Sequence, residues 1–475
     1  AWRGTMMALS AKDPYWMAAV RREIVERPHL QDFIEDKCSV CHMPMARTMA
    51  VASGGSGKIF KFTQGKADPE EARFANDGVS CTACHQISAE NFGEKESFDG
   101  GYIINTVDAQ DPSIFGPFDV DAGRHRIMNS ASAFQPQQSA HIQKSELCAT
   151  CHTLFTPAVD GDGREIGQFA EQAPYLEWRH SGYADTRSCQ DCHMPTTTAP
   201  ISSVLSEPRD AMSQHAFRGG NAFMLGIIDK YRTELTVIAP SEDLQRSVAA
   251  TIEHLQTKAA SLEVLNTSAA DGEATFDIKI ANHGGHKLPS AYPSRRVWLH
   301  VSVTNQDGEV LFESGALNED GSIVGNDNDI DGNKFEPHYL EITRADQVQI
   351  YEPVVADYKD DVTTSLLSGV SYIKDNRLLP SGFDKATASE AVSVNGAAFG
   401  DEDFADGGDT IRFRLAVGDE AGSISVDARL LYQTIGYRWA HNLEAFDLPE
   451  TNRFVQIYKD NARESAVVLA SASSD

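Results

Sequence analysis

Residues 145–154 read SELCATCHTL, with Cys148 and Cys151 three apart and His152 directly after the second. A thiol pair beside an imidazole can hold zinc, exchange disulfides or anchor a haem. The rest of the chain decides between them. All eight cysteines fall into four such pairs: Cys38/Cys41, Cys81/Cys84, Cys148/Cys151 and Cys189/Cys192. His42, His85, His152 and His193 follow them in turn. C-x-x-C-H is the attachment signal of haem c: both thiols add to the vinyl groups, and the adjacent histidine reaches the iron. Zinc needs about four ligands per site and no histidine after every pair. A thioredoxin-like pair occurs once, near a βαβ pattern. Four copies that use every cysteine predict four covalent haems c, with the four motif histidines as proximal iron ligands.

Each iron takes a further ligand, and eleven of the fifteen histidines remain. His125 and His141 lie in a polar, irregular stretch ahead of the third motif, so they are candidates. His215 follows the fourth motif and precedes Gly219 and Gly220, whose bare backbone can approach a flat ring. His283 and His286 share NHGGHKLP; one of them is expected to ligate, and His286 is favoured. His29, after Pro28, is a competitor and His180 a weaker one. His300 alternates with Val297, Leu299, Val301 and Val303 and so points off a strand's core face. His254 lies beside the apolar stripe of a helix, and His338 and His441 are late in the chain. Met6, Met7, Met43 and Met45 lie near haem motifs; methionine there more often packs than ligates.

The chain has 475 residues, 41% of them hydrophobic, enough for two or three domains with real cores. No apolar run is long enough for a transmembrane helix. The net charge of −28, from 69 acids and 41 bases, argues against nucleic acid and anionic lipid as partners, which need basic patches. No secretory signal opens the chain, and Ala1 reads as a processed or trimmed end. Haem c attachment places the protein outside the cytoplasmic membrane: periplasm, cell surface or beyond.

The expected fold class is α+β and multidomain. Residues 1–260 form a loop-rich, helical tetrahaem domain wrapped around its haems. Asp13 and Pro14 open a helix there, with Trp16, Val20 and Ile24 on one face. Ser241 caps a closing helix over about 242–261. From about residue 261 the period changes to two: ATFDIKI, RVWLHVSVT, IRFRLAV and ISVDARLLY read as strands. Residues 261–475 therefore predict an antiparallel β-sandwich-like domain with a long insertion at about 320–405. Within that insertion DNDIDGN places Asp327, Asp329 and Asp331 at alternate positions before Gly332, the first half of a calcium loop. His338 stands where an EF-hand needs glutamate, so a true EF-hand is excluded; a solvated acidic turn is favoured, with a looser calcium loop as the alternative.

The stretches WRGTMMALSAKDPYW, GVSCTACH, HRIMNSASAF, HIQKSELCATCHTL, PYLEWRHSGYADTRSCQDCHMP, HAFRGGN and GHKLPSAYPSRRVWLHV cover much of residues 2–304, and YIKDNRLLPSGFDK follows later. Together they resemble a group of bacterial multihaem c-type cytochromes of respiratory and extracellular electron transfer. By that resemblance His125, His141, His215 and His286 fall on family histidines that look like distal ligands. Relatives often carry a further haem motif ahead of W-R-G; here Trp2 is the second residue, so that haem is lacking or the chain is trimmed. The resemblance implies an electron carrier or conduit between redox partner proteins, and some similar tetrahaem cytochromes polymerise end to end. A reductase of the nitrite or hydroxylamine type, with one open haem, is the rival. A surface adhesion or docking module carrying a haem wire is a third reading.

Overall fold

Asp13 begins the first long helix, Pro14–Glu26: its carboxylate accepts from the backbone N–H groups of Tyr15 and Trp16. Those are two of the donors that a helix start leaves without partners. Trp16, Val20 and Ile24 form its buried stripe, at the spacing one helix face requires. This is a computed structural model, and it describes residues 2–63, 68–106, 112–202, 204, 206–418 and 422–474. The chain divides into two compact units. The first is Ala1–Leu154, Arg187–Gly219 and Met224–Val248; the second is Phe155–Thr186, Gly220–Phe223 and Ala249–Asp475.

In the first unit short helices alternate with loops. Helix Gln31–His42 ends in the first C-x-x-C-H motif, and helices Cys81–His85 and Cys189–His193 consist of the second and fourth. The third begins in helix Ser145–Ala149 and ends in the turn after it. Ser188 and Asp191 close a capping box on the fourth, satisfying donors at both positions. Two small strand pairs, Ser113–Gly116 with Gln135–Gln138 and Thr196–Pro200 with Pro208–Ser213, complete the frame. Ala8, Leu9, Leu225, Ile228, Leu235, Ala239 and Leu244 form an apolar cluster, with Met6 packed against it. By contrast, helix Ala122–Ser132 buries none of its side chains and leaves Ile127 and Met128 exposed.

The second unit is built on two sheets. One runs Val310–Ser314, Arg296–Asn305, Ile424–Gln433, Ala466–Ser473, with Ile350–Tyr351 also paired to Arg296–Asn305. The other runs Glu341–Ile342, Gly408–Ala416, Glu273–Asn282, Ala260–Ala270. Pairing is antiparallel except for the short Glu341–Ile342 strand. Period two sends Phe276, Ile278, Ile280, Ile411 and Phe413 from one sheet, and Val297, Leu299, Val301 and Leu430 from the other, into a single core. Phe276 and Phe413 stack there at 4.7 Å.

Three features differ from the sequence expectation. Residues 155–186 join the second unit, because Ala170 and Ala173 of their hairpin and helix pack into the sheet core. The segment expected as an insertion is also structural. It sends Ile342, Leu378, Phe383, Val392 and Phe404 to that core and covers Trp298, on the far face of its strand, with Ile323, Val348 and Ile350. Finally, Asp327, Asp329 and Asp331 do not converge as calcium ligands. Asp329 is buried, with one oxygen 2.8 Å from the Arg296 guanidinium and the other accepting from the Ile323 N–H. Asp331 accepts from the Asn333 N–H. A cation there would have to compete with a buried guanidinium already in place. Among the described residues no helix is long and apolar enough to cross a membrane.

Candidate haem-binding site

All four motifs lie in the first unit, and none of the eight cysteines forms a disulfide. The third motif touches two of the others. Cys148 lies next to Cys189, and Cys151 next to Cys41. The Cys189 N–H donates to Ser145 Oγ at 3.0 Å, and the Gln190 amide donates to the Lys144 carbonyl at 2.8 Å, which ties the fourth motif's helix to the third's. Gly100 N–H donates to the Thr150 carbonyl and Asp99 N–H to that of Thr153, fastening a loop along the third motif.

Three of the four motif histidines share one arrangement. His42 Nδ1 lies 3.2 Å from the Ser10 carbonyl and His85 Nδ1 2.6 Å from the Phe115 carbonyl, and His193 Nδ1 bonds the Arg218 carbonyl. A carbonyl only accepts, so Nδ1 carries the proton in each ring and the lone pair is on Nε2. That is the tautomer of a metal-ligating histidine whose second nitrogen is anchored by the protein. Burial lowers the His42 pKa to about 4 against the opposing Ser10 hydrogen bond, so this ring is neutral at pH 7. Trp16 stacks on it at 4.3 Å with the planes 2° apart. The carbonyls of Ser10, Phe115 and Arg218 have no signature in sequence, since every residue carries one.

The expected distal histidines are placed differently from one another. His215 faces His85 with ring centroids 5.9 Å apart and a tilt of 35°. Burial, and then the neighbouring His85, lower its pKa and favour the neutral ring. His125 is half-buried on helix Ala122–Ser132. His141 is buried, with Nε2 2.8 Å from the Ile87 carbonyl and Nδ1 2.6 Å from Ser139 Oγ. Its Nε2 therefore carries the proton, the opposite tautomer to the motif rings. It can offer that nitrogen to a metal only by giving up the Ile87 bond. His286 belongs to the second unit and donates from Nδ1 to the Lys287 carbonyl at 2.9 Å, which leaves the lone pair on Nε2.

The loop carrying His286 is held by a buried ionic network. Lys287 Nζ lies 2.7 Å from Asp375, and Arg377 bonds Asp375 at 2.7 Å and Glu177 at 2.8 Å. Glu177 in turn accepts from the Lys287 N–H and from Ser290 Oγ. Burial alone would raise the Asp375 pKa, but the two cations beside it hold it below the ordinary carboxylate value. Asn282 donates to the His286 carbonyl and closes the loop from the other side.

The remaining candidates have other partners. His300 pairs with Glu313 at 2.9 Å, His283 meets Ser261 Oγ at 3.0 Å, and His180 donates to the Asp384 carbonyl at 2.8 Å. His29 is exposed. Met43 is fully buried and Met45 lies against Ser80, both as packing side chains.

No protein-family model matches the chain, and no curated protein matches it. Among solved structures it is similar to the crystal structure of a penta-haem cytochrome c552 from Thermochromatium tepidum. That match has 15% identity and a TM-score of 0.53, and it covers 100% of this chain and 94% of that one. The chain has the fold of a multihaem c-type cytochrome. The first unit fits such a group on its own chemistry. Its cysteines stand in C-x-x-C pairs along the chain, and three motif rings present an unprotonated Nε2. Helix Ala122–Ser132, whose apolar Ile127 and Met128 are exposed, offers apolar surface that a porphyrin would cover. At Gly219 nothing lies within 4 Å of where a Cβ would project, leaving room beside the backbone.

Proposed function

We propose that the protein is a tetrahaem c-type electron-transfer protein. Cys38/Cys41, Cys81/Cys84, Cys148/Cys151 and Cys189/Cys192 hold the haems, and His42, His85, His152 and His193 are the proximal ligands. The observation that carries this reading is the shared tautomer: three motif imidazoles donate Nδ1–H to a backbone carbonyl and keep Nε2 for a metal. Bound haem supplies one-electron chemistry at its iron. The chain's own part is to orient the ligands, raise the basicity of the ring nitrogens through those carbonyl bonds, and exclude water.

His215 is the distal ligand opposite His85, supported by their spacing across a gap that fits one metal. His125 and His286 are the other distal ligands by the family resemblance, and His141 joins them by exchanging its Ile87 hydrogen bond for the iron. Six-coordination of every iron makes the protein a carrier or conduit between redox partners outside the cytoplasmic membrane, since catalysis at haem requires an open position. The test is ligand challenge. Carbon monoxide added to the reduced protein should leave the spectrum unchanged if every iron is six-coordinate. Stoichiometric carbon monoxide binding to one haem would replace the carrier by a reductase.

A further inference from the structure

Two residues of the chain's first stretch hold the first motif's histidine from different directions. His42 closes helix Gln31–His42, directly after Cys41. Ser10 opens a 3-10 turn, Ser10–Lys12, that runs into the Asp13 cap of helix Pro14–Glu26, so Trp16 falls in the first turn of that helix. The Ser10 carbonyl accepts from His42 Nδ1 at 3.2 Å, and Ser10 Oγ donates to the His42 backbone carbonyl at 2.8 Å. One residue thus grips both the ring and the backbone of the histidine. Trp16 is buried and lies over the His42 ring, with centroids 4.3 Å apart and planes 2° from parallel.

The contacts restrain different motions. The Ser10 carbonyl fixes the direction of Nδ1–H and with it that of Nε2. A hydrogen bond to a single acceptor still lets the ring rock about the line of that bond, and a parallel indole in van der Waals contact stops the rocking. The indole also has an electrostatic effect that an aliphatic side chain lacks. An aromatic face carries the negative part of a quadrupole and attracts positive charge. An iron porphyrin with its axial ligands carries one more positive charge when ferric than when ferrous, and a coordinated imidazole shares that charge. An indole face against the imidazole therefore favours the oxidised form. Val20 and Ile24 share the buried stripe of the helix with Trp16. Packing in that stripe accounts for the burial of Trp16 but does not require its ring to lie parallel to His42.

We propose, resting on the haem reading of Cys38, Cys41 and His42, that Ser10 and Trp16 are positioning residues for the first haem's proximal ligand. Together they hold the His42 ring in one orientation, and the indole face lowers the reduction potential of that haem. Neither residue is an iron ligand; both act through His42, as partners behind a metal-bound histidine do. Ligand orientation and the charge near the ligand are two of the means by which a protein sets a haem potential.

The experiment is a spectroelectrochemical titration of the haem-loaded chain, with low-temperature electron paramagnetic resonance of its ferric form. The signal of the first haem is assigned as the one that changes in His42→Met. Trp16→Leu should raise the midpoint potential of that haem alone and move or broaden its low-spin signal, because leucine keeps the site apolar but has no ring face. Trp16→Met, which fills more of the space, should do the same and takes over if the leucine variant does not fold. Trp16→Phe, which keeps a flat ring, should stay close to the parent in both readouts. Ile24→Ala loses packing on the same helix face without touching His42; it should lower stability and leave both readouts unchanged. An unaltered first-haem signal and potential in the folded Trp16 variants, an equal change in Trp16→Phe, or the same change in Ile24→Ala would each overturn the proposal. Peptide mass mapping separates this failure from that of the haem reading. Four attached haems with unaltered signals would overturn the proposal alone, whereas a parent chain with no haem on Cys38 and Cys41 would overturn both.

Discussion

His215 and His85 face each other with 5.9 Å between ring centroids and a 35° tilt. Two imidazoles that share one metal through bonds of about 2 Å have centroids roughly 6 Å apart. The pair therefore stands at the spacing of two axial ligands. Replacing His215 by alanine should convert one haem to high spin and open it to carbon monoxide, leaving the others low-spin. A fully low-spin spectrum in that variant would remove His215 from the ligand set.

Haem count is checked by mass. The intact chain should carry four haem additions that withstand thiol reductants and acid acetone, as thioethers do. Cys148→Ala should leave one haem attached by a single bond through Cys151, visible as a shifted α band in the pyridine haemochrome. A chain without those additions, whose mass rises slightly on reduction as S–S bonds take up hydrogen, would show that the thiols of different motifs were joined as disulfides instead.

Breaking the buried ion network should be expensive. Arg377→Met leaves Glu177 buried without its guanidinium and removes one of the two cations on Asp375. Stripping one partner from such a network costs about 3–5 kcal/mol. Denaturant unfolding followed by far-ultraviolet circular dichroism should give a lower midpoint of that size. Asp375→Asn, which leaves Lys287 and Arg377 facing a neutral amide, should act in the same direction.

Asp13 sets a pH dependence. Burial raises its pKa to about 6, against the opposing hydrogen bonds from Trp16 and Tyr15. A carboxyl whose folded pKa exceeds its unfolded value binds more protons when folded, so its contribution to stability falls as pH rises from about 4 to about 6. Asn is an equally good cap. Asp13→Asn should therefore match the parent near pH 4 and exceed it at pH 7 in thermal unfolding. A stability difference that does not change with pH would contradict the raised pKa of Asp13.

The four C-x-x-C-H motifs were legible because their order is written along the chain: Cys, two residues, Cys, His. The strands Glu273–Asn282, Arg296–Asn305, Gly408–Ala416 and Ile424–Gln433 were legible because each buries every second side chain. Trp298 was not legible as a buried residue, since its cover comes from Ile323, Val348 and Ile350 in a segment with no periodicity. The setting of Asp327, Asp329 and Asp331 was hidden for a related reason. Spacing along the chain says nothing about Arg296, which is distant in sequence and takes Asp329 for itself.

The contacts of Cys148 with Cys189 and of Cys151 with Cys41 bear on how the protein is made. Folding brings thiols of separate motifs together, and the C-x-x-C-H reading places assembly where oxidants are at hand. A chain that folds before its haems arrive would be open to cross-linking of the third motif to the first and fourth, which would remove the nucleophiles that attachment needs. Maturation is then a race between two fates of the same sulfurs. On the proposed haem assignment, thiols kept reduced until each porphyrin is joined would avoid that cross-linking.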